Sequence, residues 1–101
     1  MGVRQDIKLI YNDGKEIYIY SHWDEKSRLK QLIKQTLARK LRWNDEPYLA
    51  RMIFSHIVKA DIDGETGYGL APYEMGEGTP IEIDLKEQTI NGQSFEEFIS
   101  T

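Results

Sequence analysis

The side chains of this chain best suited to chemistry fall in two short stretches. The first is Tyr20-Ser21-His22-Trp23-Asp24, where a hydroxyl, an imidazole, an indole and a carboxylate follow one another. Ser beside His suggests a nucleophile with its base. Neighbours in an extended chain point to opposite faces, however, and the sequence offers no third member for a triad. What His22 and Trp23 can do together is stack on a planar ring and hydrogen-bond to it. The second stretch is Gly64-Glu65-Thr66-Gly67-Tyr68-Gly69, with three glycines in six positions. Glycines let a ligand approach backbone amides closely, so this segment could form an anion nest beside Tyr68. Its spacing is G-x-x-G-x-G rather than the dinucleotide G-x-G-x-x-G, and no Gly-Lys-Ser/Thr follows as a P-loop requires. The plainer reading is a helix-to-strand connector ending in a bulge.

Other constellations are weaker. His22 and His56 are far apart, and neither H-x-x-x-H nor H-E-x-x-H occurs, so no metal is expected. His56 lies on an apolar helical face and reads as a core histidine. With no cysteine there is no disulfide framework, thiolate site or Cys nucleophile, which suits a reducing cytoplasm. No cofactor is implied.

Charge is unevenly spread. Residues 1–60 hold twelve Lys and Arg against seven Asp and Glu, whereas residues 61–101 hold Lys86 alone against ten acids. The net charge of −4 therefore hides a dipolar molecule whose two halves suit different partners. Lys26, Lys30 and Lys34 form an i, i+4 stripe, but the overall acidity argues against direct nucleic-acid binding. The acidic half, with Glu82 and Asp84 alternating along a strand, could instead meet a basic protein surface.

A chain of 101 residues forms one domain, 1–101. Met1-Gly2-Val3-Arg4-Gln5-Asp6 contains no apolar signal region, and Asp6 stands where a myristoylation signal needs Ser or Thr. The longest apolar run, Ile17-Tyr18-Ile19-Tyr20, is too short to span a bilayer.

The elements that must hold these residues can be read in order. Residues 5–22 form a hairpin around Asn12-Asp13-Gly14. A three-residue loop with Gly14 in a bulge sets Leu9 opposite Ile17 and puts Ile7, Leu9, Ile17 and Ile19 on one face. Lys8, Ile10, Tyr18 and Tyr20 take the other, as solvent or contact surface. Residues 24–42 form a helix with Leu29, Leu32, Ile33, Thr36, Leu37 and Leu41 on its buried face. A second helix, about 47–59, follows a cap at Asn44 or Asp45; Leu49, Met52, Ile53, His56 and Ile57 line its main face, and Phe54 and Val58 widen it. Strands at 68–73 and 80–86 come next, then a short strand at 89–90. Ser94 and Glu97 form a capping box for a terminal helix. The order implies an α+β fold, an antiparallel sheet with the helix pair on one face.

Tyr20-Ser21-His22-Trp23-Asp24, Arg42-Trp43-Asn44-Asp45-Glu46, Tyr48-Leu49-Ala50-Arg51-Met52-Ile53-Phe54-Ser55 and Gly64-Glu65-Thr66-Gly67-Tyr68-Gly69 together resemble a family of small uncharacterised bacteriophage and prophage proteins. The likeness spans most of the chain in the same order. It implies an accessory phage product in the host cytoplasm, of a kind that often opposes host defences.

These readings converge on a non-catalytic counter-defence protein that sequesters a nucleotide-like anion. His22, Trp23 and Tyr68 would stack and hydrogen-bond, Arg42 or Arg51 would neutralise phosphate, and amides near Gly64, Thr66 and Gly67 would line the site. A pocket in so small a chain would form at a homo-oligomer interface. Three alternatives stand beside this reading. One is an anti-CRISPR-like inhibitor that binds a host defence protein through the acidic face. Another is a small hydrolase or nuclease using His22 with Asp24 or Glu65. The third is a structural phage component.

Overall fold

The structure, a computed structural model, describes residues 4–101. Met1, Gly2 and Val3, part of the segment read as lacking a signal, lie outside the described residues. The chain forms strands β1 (Gln5–Ile10) and β2 (Glu16–Ser21), helices α1 (Lys26–Ala38) and α2 (Glu46–Val58), and a 3₁₀ turn at Lys59–Asp61. Strands β3 (Tyr68–Ala71), β4 (Ile81–Asp84), β5 (Thr89–Ile90) and β6 (Gln93–Ser94) follow, and helix α3 (Phe95–Ser100) closes the fold.

The hairpin has the register its apolar pattern requires. Leu9 faces Ile17 and Ile7 faces Ile19. Gly14, at φ +83°, closes the three-residue loop, where the Tyr11 N–H donates to the Lys15 carbonyl at 2.9 Å. A two-residue loop would have sent aliphatic side chains to both faces.

The six strands run in the order β3-β2-β1-β4-β5-β6, and both long helices take their core partners from one sheet face. Ile7, Leu9, Ile19, Ile81 and Ile83 meet Leu29, Ile33, Leu37, Leu49 and Ile53 in one core. The α+β architecture is the one read from the sequence, but the sheet is mixed: β4 lies parallel to β1, with Ile7 opposite Ile81. The chain between them contains both helices and β3, long enough to bring β4 in from either end. Alternation of Ile81 and Ile83 with Glu82 and Asp84 specifies a buried face and says nothing of direction.

Helix α1 is shorter than its apolar spacing suggests, beginning at Lys26 and stopping at Ala38. Lys40 and Arg42 take left-handed angles, φ +54° and +60°. The Leu37 carbonyl accepts from the Lys40 N–H at 2.9 Å and from the Trp43 indole at 3.2 Å, which satisfies the helix end. Trp43 is also held edge-on against Phe95, 5.3 Å between ring centres. Leu41, expected in the core, is thereby 45% exposed.

Helix α2 is turned slightly from its expected face. Leu49, Ile53, Ile57 and Val58 are buried as expected and Ala50 joins them, whereas Met52 and His56 are half-buried. Asp45 stands at its start without a side-chain cap, because its carboxylate reaches Arg42 instead. Ser94 caps α3 as its spacing predicts, accepting from the Glu97 N–H at 3.2 Å.

The sheet face opposite the helices is partly covered. Asp6 accepts from the Met75 and Gly76 N–H groups at 3.0 and 2.8 Å, and the Glu77 N–H donates to the Arg4 carbonyl. Tyr18 on this face is only 6% exposed.

Candidate ligand-binding site

At the corner where β2 turns into α1, one carboxylate gathers the surrounding donors. Ser21 is fully buried, and its hydroxyl accepts from the Asp24 N–H and donates to Asp24 Oδ2 at 3.0 Å. The Tyr68 hydroxyl donates to the same oxygen at 2.7 Å, and Arg28 Nε meets Oδ1 at 3.1 Å. Burial first, and then the Asp24 carboxylate, pushes the Tyr68 hydroxyl up to about 12. These groups are satisfied by one another.

The imidazole and indole meet the glycine stretch, as the sequence implied. The His22 N–H donates to the Gly67 carbonyl at 2.9 Å, extending the β2–β3 ladder by one pair. His22 Nδ1 shares a 2.7 Å hydrogen bond with the Tyr20 hydroxyl, and its ring stands edge-on to Trp23. Gly67 has φ +98°, and a Cβ there would lie 2.5 Å from the Trp23 indole nitrogen. A Cβ on Gly64 would lie as close to the Asp61 carboxylate. The glycines therefore admit this protein's own indole and carboxylate, not a ligand. Thr66 is exposed, and so is Trp23 at 59%. Asp61, Asp63 and Glu65 are exposed too, which makes the loop acidic.

Arg42 and Arg51 lie elsewhere. They line an open groove of about 620 Å³ between the end of α1 and the outer side of α2. Arg39 and Lys59 add two cations to its wall, Ser55 and His56 add polar groups, and Leu41 and Met52 add apolar surface. The early, left-handed end of α1 is what delivers Arg39, Leu41 and Arg42 here. Arg42 lies over the Tyr48 ring, 4.8 Å from its centre, and meets Asp45 at 3.3 Å. Arg51 reaches Ser55 Oγ at a long 3.5 Å. Among the described residues, Arg39, Arg51 and Lys59 have no carboxylate within 4.0 Å.

His56 faces these cations. Burial, then the charges of Lys59 and Arg39, hold its imidazole below the ordinary histidine value. Its Nε2 donates to Gln35 Oε1 at 2.8 Å, so the neutral ring offers Nδ1 as an acceptor.

The expected ligand set thus divides. His22, Trp23, Gly67 and Tyr68 come together at the start of α1, with Gly64 and Thr66 in the adjoining loop. Arg42 and Arg51 flank its far end, about 20 Å away along a thirteen-residue helix. The sequence reading missed Arg39, Ser55, His56 and Lys59 as groove residues. Arg51, Ser55 and Lys59 do follow an i, i+4, i+8 stripe, so part of that signal was present.

The remaining charged candidates are tied up locally. Lys26 and Lys34 of the lysine stripe donate to the Thr79 and Thr101 carbonyls. Asp84 accepts from the Lys86 and Glu87 N–H groups in a turn, leaving Glu82 as the exposed acid of that strand. Among the described residues, no three His, Asp or Glu side chains are grouped to hold a metal, and no helix is long and apolar enough to cross a membrane. Comparison with protein-family models, with curated proteins and with solved structures finds no match to this chain.

Proposed function

We propose that this chain is a non-catalytic binding protein that holds a small phosphate-bearing, nucleotide-like ligand in the groove between α1 and α2. The observation that carries this reading is the convergence of Arg39, Arg42, Arg51 and Lys59 on one concavity in a chain of net charge −4. Like charges held near one another repel, and a bound anion relieves that repulsion. Two unit charges about 6 Å apart near a protein surface interact by about 3 kcal/mol. That magnitude decides between the two candidate sites. A phosphate beside Asp61, Asp63 and Glu65 meets the unfavourable sign, and one in the groove meets the favourable sign. Leu41 and Met52 supply apolar contact for the rest of such a ligand.

The reading assigns no reaction. The Ser21 hydroxyl donates to Asp24, and the His22 imidazole bonds to Tyr20, so the suggested nucleophile and base serve other partners. Together with the resemblance to phage-encoded proteins, retention of a nucleotide signal fits a counter-defence role.

Calorimetry with inorganic phosphate and a panel of nucleoside mono- and diphosphates tests the proposal. Binding is expected, stronger for the diphosphates, lost on combining Arg51→Glu with Lys59→Glu, and retained in Trp23→Ala. Absence of heat with every phosphate, or loss in Trp23→Ala with retention in the groove variant, would overturn it.

A further inference from the structure

The sheet ends at β3, and the outer edge of that strand is open. Because the His22 N–H bonds to the Gly67 carbonyl, these two residues are a hydrogen-bonded pair of the β2–β3 ladder. Such pairs alternate in an antiparallel ladder, so Gly69 and Ala71 also bond to β2. The N–H and C=O groups of Tyr68 and Leu70 therefore point outward, and no turn or loop backbone among the described residues reaches them. The strand itself, Tyr-Gly-Leu-Ala, contains no charge and no proline, the devices that commonly blunt an edge.

Apolar surface flanks this edge. Leu70 is 52% exposed and Tyr73 64% exposed. On the helix side, Leu70, Ile17, Pro47, Ala50 and Phe54, with Arg51 beside them, line a trough of about 210 Å³. A broader hollow of about 590 Å³ opens at the Ala71 end beside Tyr11 and Pro72. Charge marks the ends: Asp61, Asp63 and Glu65 precede the strand and Glu74 follows it. All four are exposed, with no cation within 4.0 Å among the described residues.

We infer that the β3 edge receives an extended segment of a partner protein as an added strand. The segment places apolar side chains over the trough and carries Lys or Arg where it passes the 61–65 loop. Main-chain bonds to Tyr68 and Leu70 give affinity, and the trough and carboxylates give selectivity. Charge complementarity selects this occupant over a second copy. Two-fold pairing through Gly69 would bring the 61–65 carboxylates of each copy toward Glu74 of the other, whereas a basic-flanked segment neutralises them. No β3 residue lines the α1–α2 groove, and Arg51 borders both that groove and the trough. The β3 edge also gives the acid-rich half of the chain a protein partner to meet.

Amide NMR of the isotope-labelled protein tests the inference. The probe is a synthetic peptide of alternating Val and Thr flanked by lysines, with a glutamate-flanked version as control. Expected are shifts and slowed hydrogen exchange at the Tyr68 and Leu70 amides, with little change at Gly69, whose N–H already bonds to β2. The control should bind about tenfold more weakly, as two or three exposed charge pairs would give. Leu70→Pro removes one outward N–H and should abolish binding. Should that variant fold poorly, Asp63→Lys with Glu65→Lys alters only exposed side chains and should invert the peptide preference. Three results overturn the inference. They are no shift with either peptide at millimolar concentration, equal affinity for both, or concentration-dependent protection of the Tyr68 and Leu70 amides in the free protein.

Discussion

The corner at the start of α1 and the groove at its end contain comparable chemistry, and they use it in opposite ways. At the corner Asp24 binds Ser21, Tyr68 and Arg28 at once, His22 is held by Tyr20 and Gly67, and the Trp23 indole lies over Gly67. In the groove, among the described residues, three of four cations have no carboxylate within 4.0 Å, and burial and those charges hold the His56 imidazole below its ordinary value. A polar cluster that satisfies itself locks the chain in place, and one that keeps its charges uncompensated is prepared for something else. Composition alone would have favoured the corner, with its imidazole, indole and glycines, as the binding site. Charge sign and hydrogen-bond saturation reverse that choice.

Variants can break this contrast, beginning at the corner. Asp24→Ala leaves the buried Ser21 hydroxyl and the Tyr68 hydroxyl without their acceptor, and should cost about 3 kcal/mol in urea unfolding. Phosphate affinity at the groove should stay within twofold. Tyr68 should also titrate lower, because its second cause of shift is gone while burial remains. Absorbance titration would show this as loss of a tyrosine ionising near 12, with Tyr68→Phe as the assignment control. The sign for stability follows. Tyr68 favours the folded state below its ordinary pKa of 10.0, and the contribution is lost as pH rises from there through about 12.

Gly67→Ala comes next, at about 2 kcal/mol, combining a left-handed backbone with displacement of the indole. In a Trp23→Ala background only the backbone part, about 1 kcal/mol, should remain. Equal costs in both backgrounds would show that the indole does not press on Gly67. Groove variants should do the reverse. Arg51→Ala and Lys59→Ala should each leave stability within about 0.5 kcal/mol, since among the described residues neither cation has a carboxylate to lose. Each should weaken phosphate binding about fivefold, near 1 kcal/mol. A stability loss as large as that of Asp24→Ala would erase the distinction between the regions.

How far the sequence revealed these regions depends on the kind of signal each uses. The hairpin register was legible because one-sided burial of Ile7, Leu9, Ile17 and Ile19 tolerates only one loop length. Helix positions and the Ser94 cap were legible because periodicity and capping are local. The parallel pairing of β4 with β1 was not, since Ile81 and Ile83 alternate identically in either direction. The early stop of α1 was also hidden. No glycine marks it, and the left-handed angles fall on Lys40 and Arg42, held there by the Leu37 carbonyl and the Trp43 indole. That one misplacement scattered the groove. With α1 drawn through residue 42, Leu41 belonged to the core, and nothing drew Arg39 and Arg42 toward Lys59. The meeting of Trp23 with Gly67 was foreseen, but its meaning was not, because a glycine that admits a ligand and one that admits an indole look alike in sequence.

The subtlest test of the contrast is the proton on His56. In the free protein, burial and the nearby Lys59 and Arg39 keep this imidazole below its ordinary value of 6.5. The unfolded chain therefore binds a proton more readily than the folded chain between the folded pKa and about 6.5. Stability from this group is fully present above that range and falls as pH drops through the folded pKa. An anion bound in the groove offsets the charges of Lys59 and Arg39, so it should raise the His56 pKa and be taken up with a fraction of a proton near pH 6. Affinity for a nucleoside monophosphate should accordingly strengthen as pH falls from 7 toward 6, while the phosphate monoester itself, with its second pKa near 6, works against the trend. Proton NMR separates the two effects, because His22 and His56 are the chain's two histidines and His56→Gln identifies the second. An upward shift of His56 alone on adding phosphate places the anion beside Lys59 and Arg39. A shift of His22 alone would place it at the corner, among carboxylates that should repel it, and would refute the assignment made from charge.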